Sequence, residues 1–313
     1  MTEVPEEVQA EPISPTARLF GLLWAGTVLL TTFTFWQDPL FLNLASSFRV
    51  HLVLALLVLS LPPTLLFTGK RRLLFYSVTA LFGFTFASYY IPAPQVAGSE
   101  LHLAVANVHS SNRDLSRLSG WVRENPPAVL GVLEVAPHHI STLESLGYEN
   151  VLLEPRQGNF GLALLCRTAP LKAEILEADS HFPTILAEFE NYRLLLTHPV
   201  PPISTEAREI GDDQVSRLAK LLASSEKPVV VMGDLNATGW DLRTQPFLEL
   251  GLRDCRKGFG IIATWPVQRS LMQIPIDHIL VPQEWGVSAC QRGPDIGSDH
   301  YPLTATVTVP SPR

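Results

Sequence analysis

Three apolar stretches open the chain, and a different rhythm follows them. Leu19–Trp36, Val50–Phe67 and Leu73–Ile91 are almost continuously hydrophobic, each near the ~20 residues with which a helix crosses hydrocarbon. Between Arg18 and Ile91 the only charges are Asp38, Arg49, Lys70, Arg71 and Arg72. Phe35 and Trp36 close the first stretch and Tyr89 and Tyr90 the third, as in an interfacial aromatic belt. Pro62 and Pro63 would kink the second, which a spanning helix tolerates. Such segments in succession rarely fit one soluble core, and a signal peptide has no further spans behind it. The pattern therefore predicts a three-helix transmembrane anchor over residues 18–92. Residues 1–17 read as a disordered tail and 93–100 as a linker.

Beyond Glu100 the pattern becomes strand, helix, strand. Leu101–Val108, Ala128–Glu134, Gly161–Cys166, Thr184–Glu190 and Tyr192–Thr197 read as strands, as do Val229–Met232, Ile276–Val281, Val287–Cys290 and Leu303–Val309. Helical spacing covers Asp114–Glu124, Pro137–Leu146, Thr205–Ser224 (with Thr205 as N-cap) and a helix near Gln245–Leu250. Short apolar strands alternating with helices predict a layered α/β domain over residues 101–313.

Charge gives the anchor a direction. Lys70, Arg71 and Arg72 fill the tight connection between the second and third stretches, while the loop from Asp38 to Arg49 has one arginine. The positive-inside tendency puts the basic connection and the N-terminus in the cytoplasm, and the domain after Ile91 outside it. The net charge is −7 and belongs to the C-terminal part, because acids and bases before Gln95 cancel. An acidic domain lacks the basic stripe with which proteins usually grip duplex DNA, although a local patch could survive a negative total. The three cysteines, Cys166, Cys255 and Cys290, match no zinc or redox spacing. Cys166 reads as a buried small hydrophobe, and export would permit a Cys255–Cys290 disulfide without demanding it.

Polar residues gather at the strand ends. Asn107 and Glu134 close the first two strands, and His198 follows Thr197. Asp234 and Asn236 follow an apolar run, Asp277 and His278 open another strand, and Ser298-Asp299-His300 precedes the last. Carboxylate and amide oxygens on one sheet rim suit a hard cation such as Mg²⁺ or Mn²⁺, and a neutral histidine beside them can activate water. Singly, each has a bland reading: Asp-Leu-Asn after a strand is most often a turn or cap. His278 faces away from Asp277 and reads as structural, His109, His138 and His139 read as solvated, and Trp240 and Trp265 fit core or pocket lip equally. Asn159 and Phe160 lie in a glycine turn that could border a pocket.

Taken in order, Gly233-Asp-Leu-Asn236, Ile276-Asp-His-Ile279 and Gly297-Ser-Asp-His300 resemble the endonuclease/exonuclease/phosphatase superfamily. This group includes pancreatic-type deoxyribonuclease, apurinic endonucleases, bacterial sphingomyelinases and inositol polyphosphate 5-phosphatases. Thr197-His-Pro-Val-Pro-Pro202, Gly251-Leu-Arg-Asp254 and Thr264-Trp-Pro266 resemble its membrane-anchored bacterial branch more closely. One departure is Leu133, where the family often has glutamine before its metal glutamate. The resemblance implies a four-layered α/β sandwich, two packed mixed sheets flanked by helices, behind the three spans. It implies metal ligation by Glu134 with Asn107 and Asp299. Asp234 and Asn236 would orient the nucleophilic water, His300 would be the general base or a phosphate contact, Asp277 would orient His300, and His198 would donate to the phosphoryl oxygens.

The expected activity is metal-dependent phosphoester hydrolysis. An extracytoplasmic, membrane-tethered, acidic domain favours a lipid head group or another surface phosphoester over DNA. An extracytoplasmic metal-dependent nuclease is the alternative within the class. An inactive membrane-bound scaffold is the alternative outside it, and would be expected to lack one of Glu134, Asp234, Asn236 or His300.

Overall fold

The first apolar stretch folds as helix α1 (Pro15–Phe33), begun by Ser14, whose hydroxyl accepts from the Ala17 N–H, and by Pro15, whose missing N–H costs nothing in the first turn. The second and third give α3 (Arg49–Leu66) and α4 (Lys70–Phe84). A computed structural model of the chain describes residues 14–66, 70–92, 95–178 and 180–310, and these form two units. One holds the described residues through Trp36 together with Arg49–Thr85, the other Gln37–Phe48 together with the chain from Phe86.

The helical unit has a small apolar centre that also encloses polar groups, and many large apolar side chains are on its outside. Trp24, Leu56 and Phe75 meet inside it. Trp24 Nε1 donates to Ser60 Oγ at 3.1 Å, and Ser60 Oγ lies 2.9 Å from Thr79 Oγ1. Leu22, Val58, Leu73 and Phe84 are more than half exposed.

The expectation of three spans needs correction. Among the described residues only α1 is by itself long and apolar enough to cross a bilayer. A second candidate arises only when the short helix α2 (Leu40–Ser47) is joined to Arg49–Leu61 as a bent pair, and Arg72–Phe84 is a shorter apolar helix. The third stretch falls short of Ile91 because the backbone leaves the helix after Phe84. Ala87–Tyr89 forms a 3₁₀ turn in the other unit, where Tyr89 is buried and its carbonyl accepts from the Gly258 and Gly260 N–H groups at 3.1 and 2.6 Å. Tyr89 is thus committed to protein, not to an aromatic belt. Most of the expected tail and residues 93 and 94 of the expected linker lie outside the described residues.

In the second unit, twelve strands among the described residues form two sheets. The first contains β1 (Gly98–Asn107), β2 (Val129–Leu133), β3 (Asn150–Glu154), β4 (Leu162–Cys166), β11 (Gly286–Arg292) and β12 (Leu303–Pro310), in the order β11-β12-β1-β2-β4-β3. The second contains β5 (Lys172–Leu176), β6 (Thr184–Glu188), β7 (Arg193–Thr197), β8 (Val229–Asp234), β9 (Leu252–Asp254) and β10 (Asp277–Pro282), in the order β5-β6-β7-β8-β10-β9. The sheets share one pairing pattern: a central parallel pair, β1–β2 or β7–β8, with antiparallel strands on either side.

Alternation along the strands sorts the core into layers. Leu103, Val105, Leu194, Leu196 and Met232 fill the space between the sheets. Ala104 and Ala106 face outward onto Leu118 and Val122 of α5 (Ser116–Glu124) and Leu143 of α6 (Ile140–Glu144). On the other sheet Leu195 and Val231 cover Val215, Leu218 and Leu222 of α7 (Thr205–Ala223) and Phe247 of α8 (Gln245–Leu248). This is the expected four-layered sandwich. The N-cap of α7 is Ser204, which accepts from the Ala207 N–H, and not Thr205. Pro137–Leu146 is a 3₁₀ turn followed by the short α6. Gly98–Glu100, expected as linker, extend β1 by pairing with Thr308–Pro310.

Candidate functional site

Both parallel pairs end at polar residues. β1 ends at Asn107, in register with Leu133 of β2, and Glu134 follows. β7 leads into His198, while β8 ends at Asp234 with Asp277 as its antiparallel partner. Gly233 lets the end of β8 lie this close to β7, since a Cβ there would lie 1.8 Å from the Thr197 carbonyl oxygen. His109, Glu134 and Asn236 all adopt left-handed backbone, with φ of 60°, 59° and 51°. Non-glycine residues seldom hold that conformation, and it concentrates where local geometry serves a site.

The side chains converge. Asn107 Nδ2 donates to Glu134 Oε1 at 3.0 Å and to Asp234 Oδ2 at 3.3 Å, and the Ser110 N–H donates to Glu134 Oε2 at 3.0 Å. Asp234 Oδ1 accepts the Asn236 N–H at 2.8 Å, and Oδ2 lies 3.5 Å from His198 Nε2 and 3.6 Å from His300 Nε2. His198 Nδ1 is fixed by the Asn159 carbonyl at 3.0 Å, and His300 Nδ1 by Asp277 Oδ2 at 2.9 Å. Asn236 gives one amide N–H to the Pro199 carbonyl at 3.0 Å. Asp299 is tied to Trp265 Nε1 at 3.0 Å.

Burial pulls the basicity of both histidines down, yet the adjacent carboxylates prevail. His198 is raised above its ordinary value by Asp234, and His300 is raised to about 10 by Asp277 and Asp234. Burial pushes Asp234 up, but His300 and His198 hold it well below the carboxylate range. Two imidazoles thus flank one carboxylate out of water, where charges interact strongly.

Glu134, His198, Asp234, Asn236, Asp299 and His300 line one cavity of about 420 Å³. Asn107 joins it through Glu134 and Asp234, and Asp277 through His300. All eight residues expected from sequence therefore come together. The donor set is right for a hard divalent cation: carboxylate and amide oxygens, with Asp277 Oδ1 buried and lacking a hydrogen-bond partner. Donor atoms of Asp234, Asp277 and His300 also lie within 4.8 Å of one another, close enough to hold an ion.

A sequence model of the Endonuclease/Exonuclease/phosphatase family matches residues 104–300. The chain belongs to this family. Its members are metal-dependent phosphoester hydrolases, and the chain is one by membership. Solved structures agree on the fold. A 3′ phosphatase, NExo, from Neisseria, bound to a product DNA hairpin, is 18% identical with a TM-score of 0.54, over 66% of this chain and 98% of its own. An AP endonuclease from Archaeoglobus fulgidus is 19% identical with a TM-score of 0.56, over 66% and 98%. A humanized D. rerio TDP2 is 17% identical with a TM-score of 0.56, over 67% and 99%. No curated protein sequence matches the chain.

Several features of this Endonuclease/Exonuclease/phosphatase site escape the sequence. Ser110 and Asn159 act through backbone atoms, which no residue type announces. Asn159, Phe160 and Trp265 all border the cavity, which settles Trp265 as a lip residue. Leu44, Ser47 and Phe48 border it too, although they precede the domain by some fifty residues of chain. The only sequence trace of α2 is the faint apolar spacing of Phe41, Leu44 and its C-cap Phe48, with the polar Asn43 and Ser46 between them. His139, expected on a solvated surface, is buried, with Nδ1 accepting the Ala136 N–H and Nε2 2.6 Å from the Asn112 carbonyl. His278 is structural as expected, held by Asp254 and the Ala237 carbonyl.

Proposed function

We propose that the chain is a membrane-anchored phosphoesterase of the bacterial branch of its family, with its catalytic unit outside the cytoplasm and a lipid head group or another surface phosphoester as substrate. The observation that carries the chemistry is the cavity itself, where strand ends and the segment before β12 bring carboxylates, an amide and two histidines around one space. The apolar exterior of the helical unit and the Lys70–Arg72 connection support the anchor and its direction. The proposed organisation is a cytoplasmic tail, an anchor built around α1, and a catalytic unit that also takes in Gln37–Phe48.

Glu134 with Asn107 and Asp299 would hold Mg²⁺ or Mn²⁺, which when bound neutralises phosphoryl charge and makes water more acidic. The protein groups divide the remaining work. Asp234 and Asn236 orient the attacking water, whose oxygen bonds to phosphorus as the ester P–O bond breaks. In its charged form His300 contacts the phosphate through Nε2–H, in its neutral form it receives the water proton at Nε2, and in both Asp277 fixes its Nδ1–H. His198, fixed through Nδ1 by a carbonyl, donates from Nε2 to a phosphoryl oxygen as negative charge builds there. The leaving alcohol takes the proton released from water.

A nuclease is the second reading, favoured by the DNA in the NExo structure. The test is hydrolysis by the purified full chain of sphingomyelin, glycerophospholipids, phosphoinositides and 3′-phosphorylated DNA, each with Mg²⁺, Mn²⁺ or chelator. The proposal expects metal-dependent turnover of a lipid. DNA cleavage without lipid turnover would replace it with the nuclease, and no metal-dependent turnover would refute both.

A further inference from the structure

Helix α2 carries its polarity the wrong way round for a surface helix. Its polar residues are buried: Asn43 and Ser46 face the catalytic unit, with Leu42 beside them. Asn43 Nδ2 donates to both carboxylate oxygens of Asp241, at 3.2 and 3.4 Å, and Ser46 Oγ donates to Asp241 Oδ2 at 3.3 Å. Trp240 Nε1 donates to the Ser46 carbonyl at 2.7 Å, and Gln37 clasps the same loop through the Trp240 carbonyl and the Leu242 N–H. Phe41 and Leu44 turn outward instead, 63% and 43% exposed. Buried polar anchors of this kind fix a segment in one position, since leaving any of them unpaired is costly.

The segment so fixed completes the catalytic cavity. Leu44 and Phe48 form an apolar wall with Phe160, Ile203 and Ile274, and the wall is continuous with the floor of Glu134, Asp234 and His300. Ile203 is 79% exposed, so the wall runs out to the mouth. No lysine or arginine lines the cavity among the described residues, whereas strand-binding channels pair stacking surfaces with cationic ones. α2 itself carries no charge, and in sequence it joins the apolar helices α1 and α3.

We propose that this wall is a subsite for hydrocarbon, so that the substrate is an amphiphile with its phosphoester at the carboxylate–histidine floor and an alkyl or acyl chain against Leu44, Phe48 and Ile203. The proposal rests on the phosphoesterase reading above and narrows it to one substrate class. The segment Gln37–Phe48 is then a specificity element of the enzyme as well as a connection between apolar helices. Asp241, Asn43 and Ser46 are positioning residues that hold it.

The test uses methyl, butyl and octyl p-nitrophenyl phosphodiesters with the full chain in lipid nanodiscs and Mg²⁺ or Mn²⁺. Wild type, Leu44→Gln/Ile203→Gln and, as a control away from the cavity, Leu171→Gln are compared in identical discs, so ester partitioning is common to all. Each methylene that enters the wall should raise kcat/KM by about fourfold, so the octyl-to-methyl ratio should exceed about tenfold even if few methylenes are buried. The double variant should lose most of that ratio while Leu171→Gln keeps it. The ratio is internal to each preparation and does not depend on the folded fraction. Equal rates for methyl and octyl esters, or an unchanged ratio in the double variant, would overturn the subsite and leave the phosphoesterase reading standing. Metal-independent or absent hydrolysis of every ester would overturn both.

Discussion

Two buried histidines in the catalytic unit each give Nδ1 to an aspartate, at 2.9 Å for His300–Asp277 and 3.0 Å for His278–Asp254. Their surroundings differ. His278 Nε2 is taken by the Ala237 carbonyl at 2.8 Å, Asp254 also binds Arg256 Nη1 at 2.9 Å, and neither residue borders the cavity. His300 lines the cavity, its Nε2 stands 3.6 Å from a second carboxylate, and Asp277 keeps one oxygen without a hydrogen-bond partner. A buried Asp–His pair is therefore no mark of catalysis by itself. A saturated pair braces the fold, and a pair with spare valence facing a cavity can move a proton.

The comparison breaks first at the histidines. His300→Ala should lower kcat/KM by about 10³ per folded molecule, within the usual range for losing a proton-transfer group. His278→Ala should spare the chemistry. It breaks a buried ion-pair network, so it should destabilise by about 3 kcal/mol in denaturant titration while activity per folded molecule is retained. Equal losses of activity from both would dissolve the distinction.

Asp277→Asn is the next step down. It keeps the shape but removes the charge that orients His300, and should lower kcat by about 10- to 100-fold with KM little altered. Asp254→Asn should act on stability instead. Burial raises the Asp254 carboxyl, but Arg256 and His278 bring it down to about 2 from an ordinary value of 3.8. A folded value below the unfolded one means stability present above pH 3.8 and lost as pH falls toward 2. The amount is about 2 kcal/mol. Acid unfolding of wild type between these values should be steeper than that of Asp254→Asn. The smallest effect concerns Cys255, next to Asp254, whose Sγ lies 2.7 Å from Cys290 Sγ between the two sheets. Oxidising the two thiols with diamide to one disulfide, confirmed by mass spectrometry, should leave activity essentially unchanged, because that region braces and does not react.

The two pairs also explain what could be read in advance. Sequence offers two Asp-His dipeptides, Asp277-His278 and Asp299-His300, and within neither does the aspartate pair with its neighbour. Strand alternation sends Asp277 and His278 to opposite faces, so Asp277 meets His300 and His278 meets Asp254. The opposed faces were legible, and Asp254 as partner was not, because that contact depends on how β9 pairs with β10. The three strands without a sequence signal, β3, β5 and β9, are all sheet edges. β3 and β5 are only partly buried and show no clean apolar run. Helix α2 was hidden for a related reason: its buried side is polar, so the segment reads as a connection. The rim residues were legible because carboxylates, amides and histidines stood at the ends of otherwise apolar strands.

On the proposed function, the carboxylate cluster around Glu134 supports metal-dependent hydrolysis. The most direct measurement is the initial rate on bis(p-nitrophenyl) phosphate for the full chain and for Glu134→Gln, across a Mg²⁺ titration, with folding checked by circular dichroism. Glu134→Gln keeps size and removes one charge, so the account predicts a rate at least about 100-fold lower at saturating metal and a half-saturating Mg²⁺ concentration raised at least about tenfold. A folded Glu134→Gln protein with the wild-type rate and the wild-type Mg²⁺ dependence would contradict it.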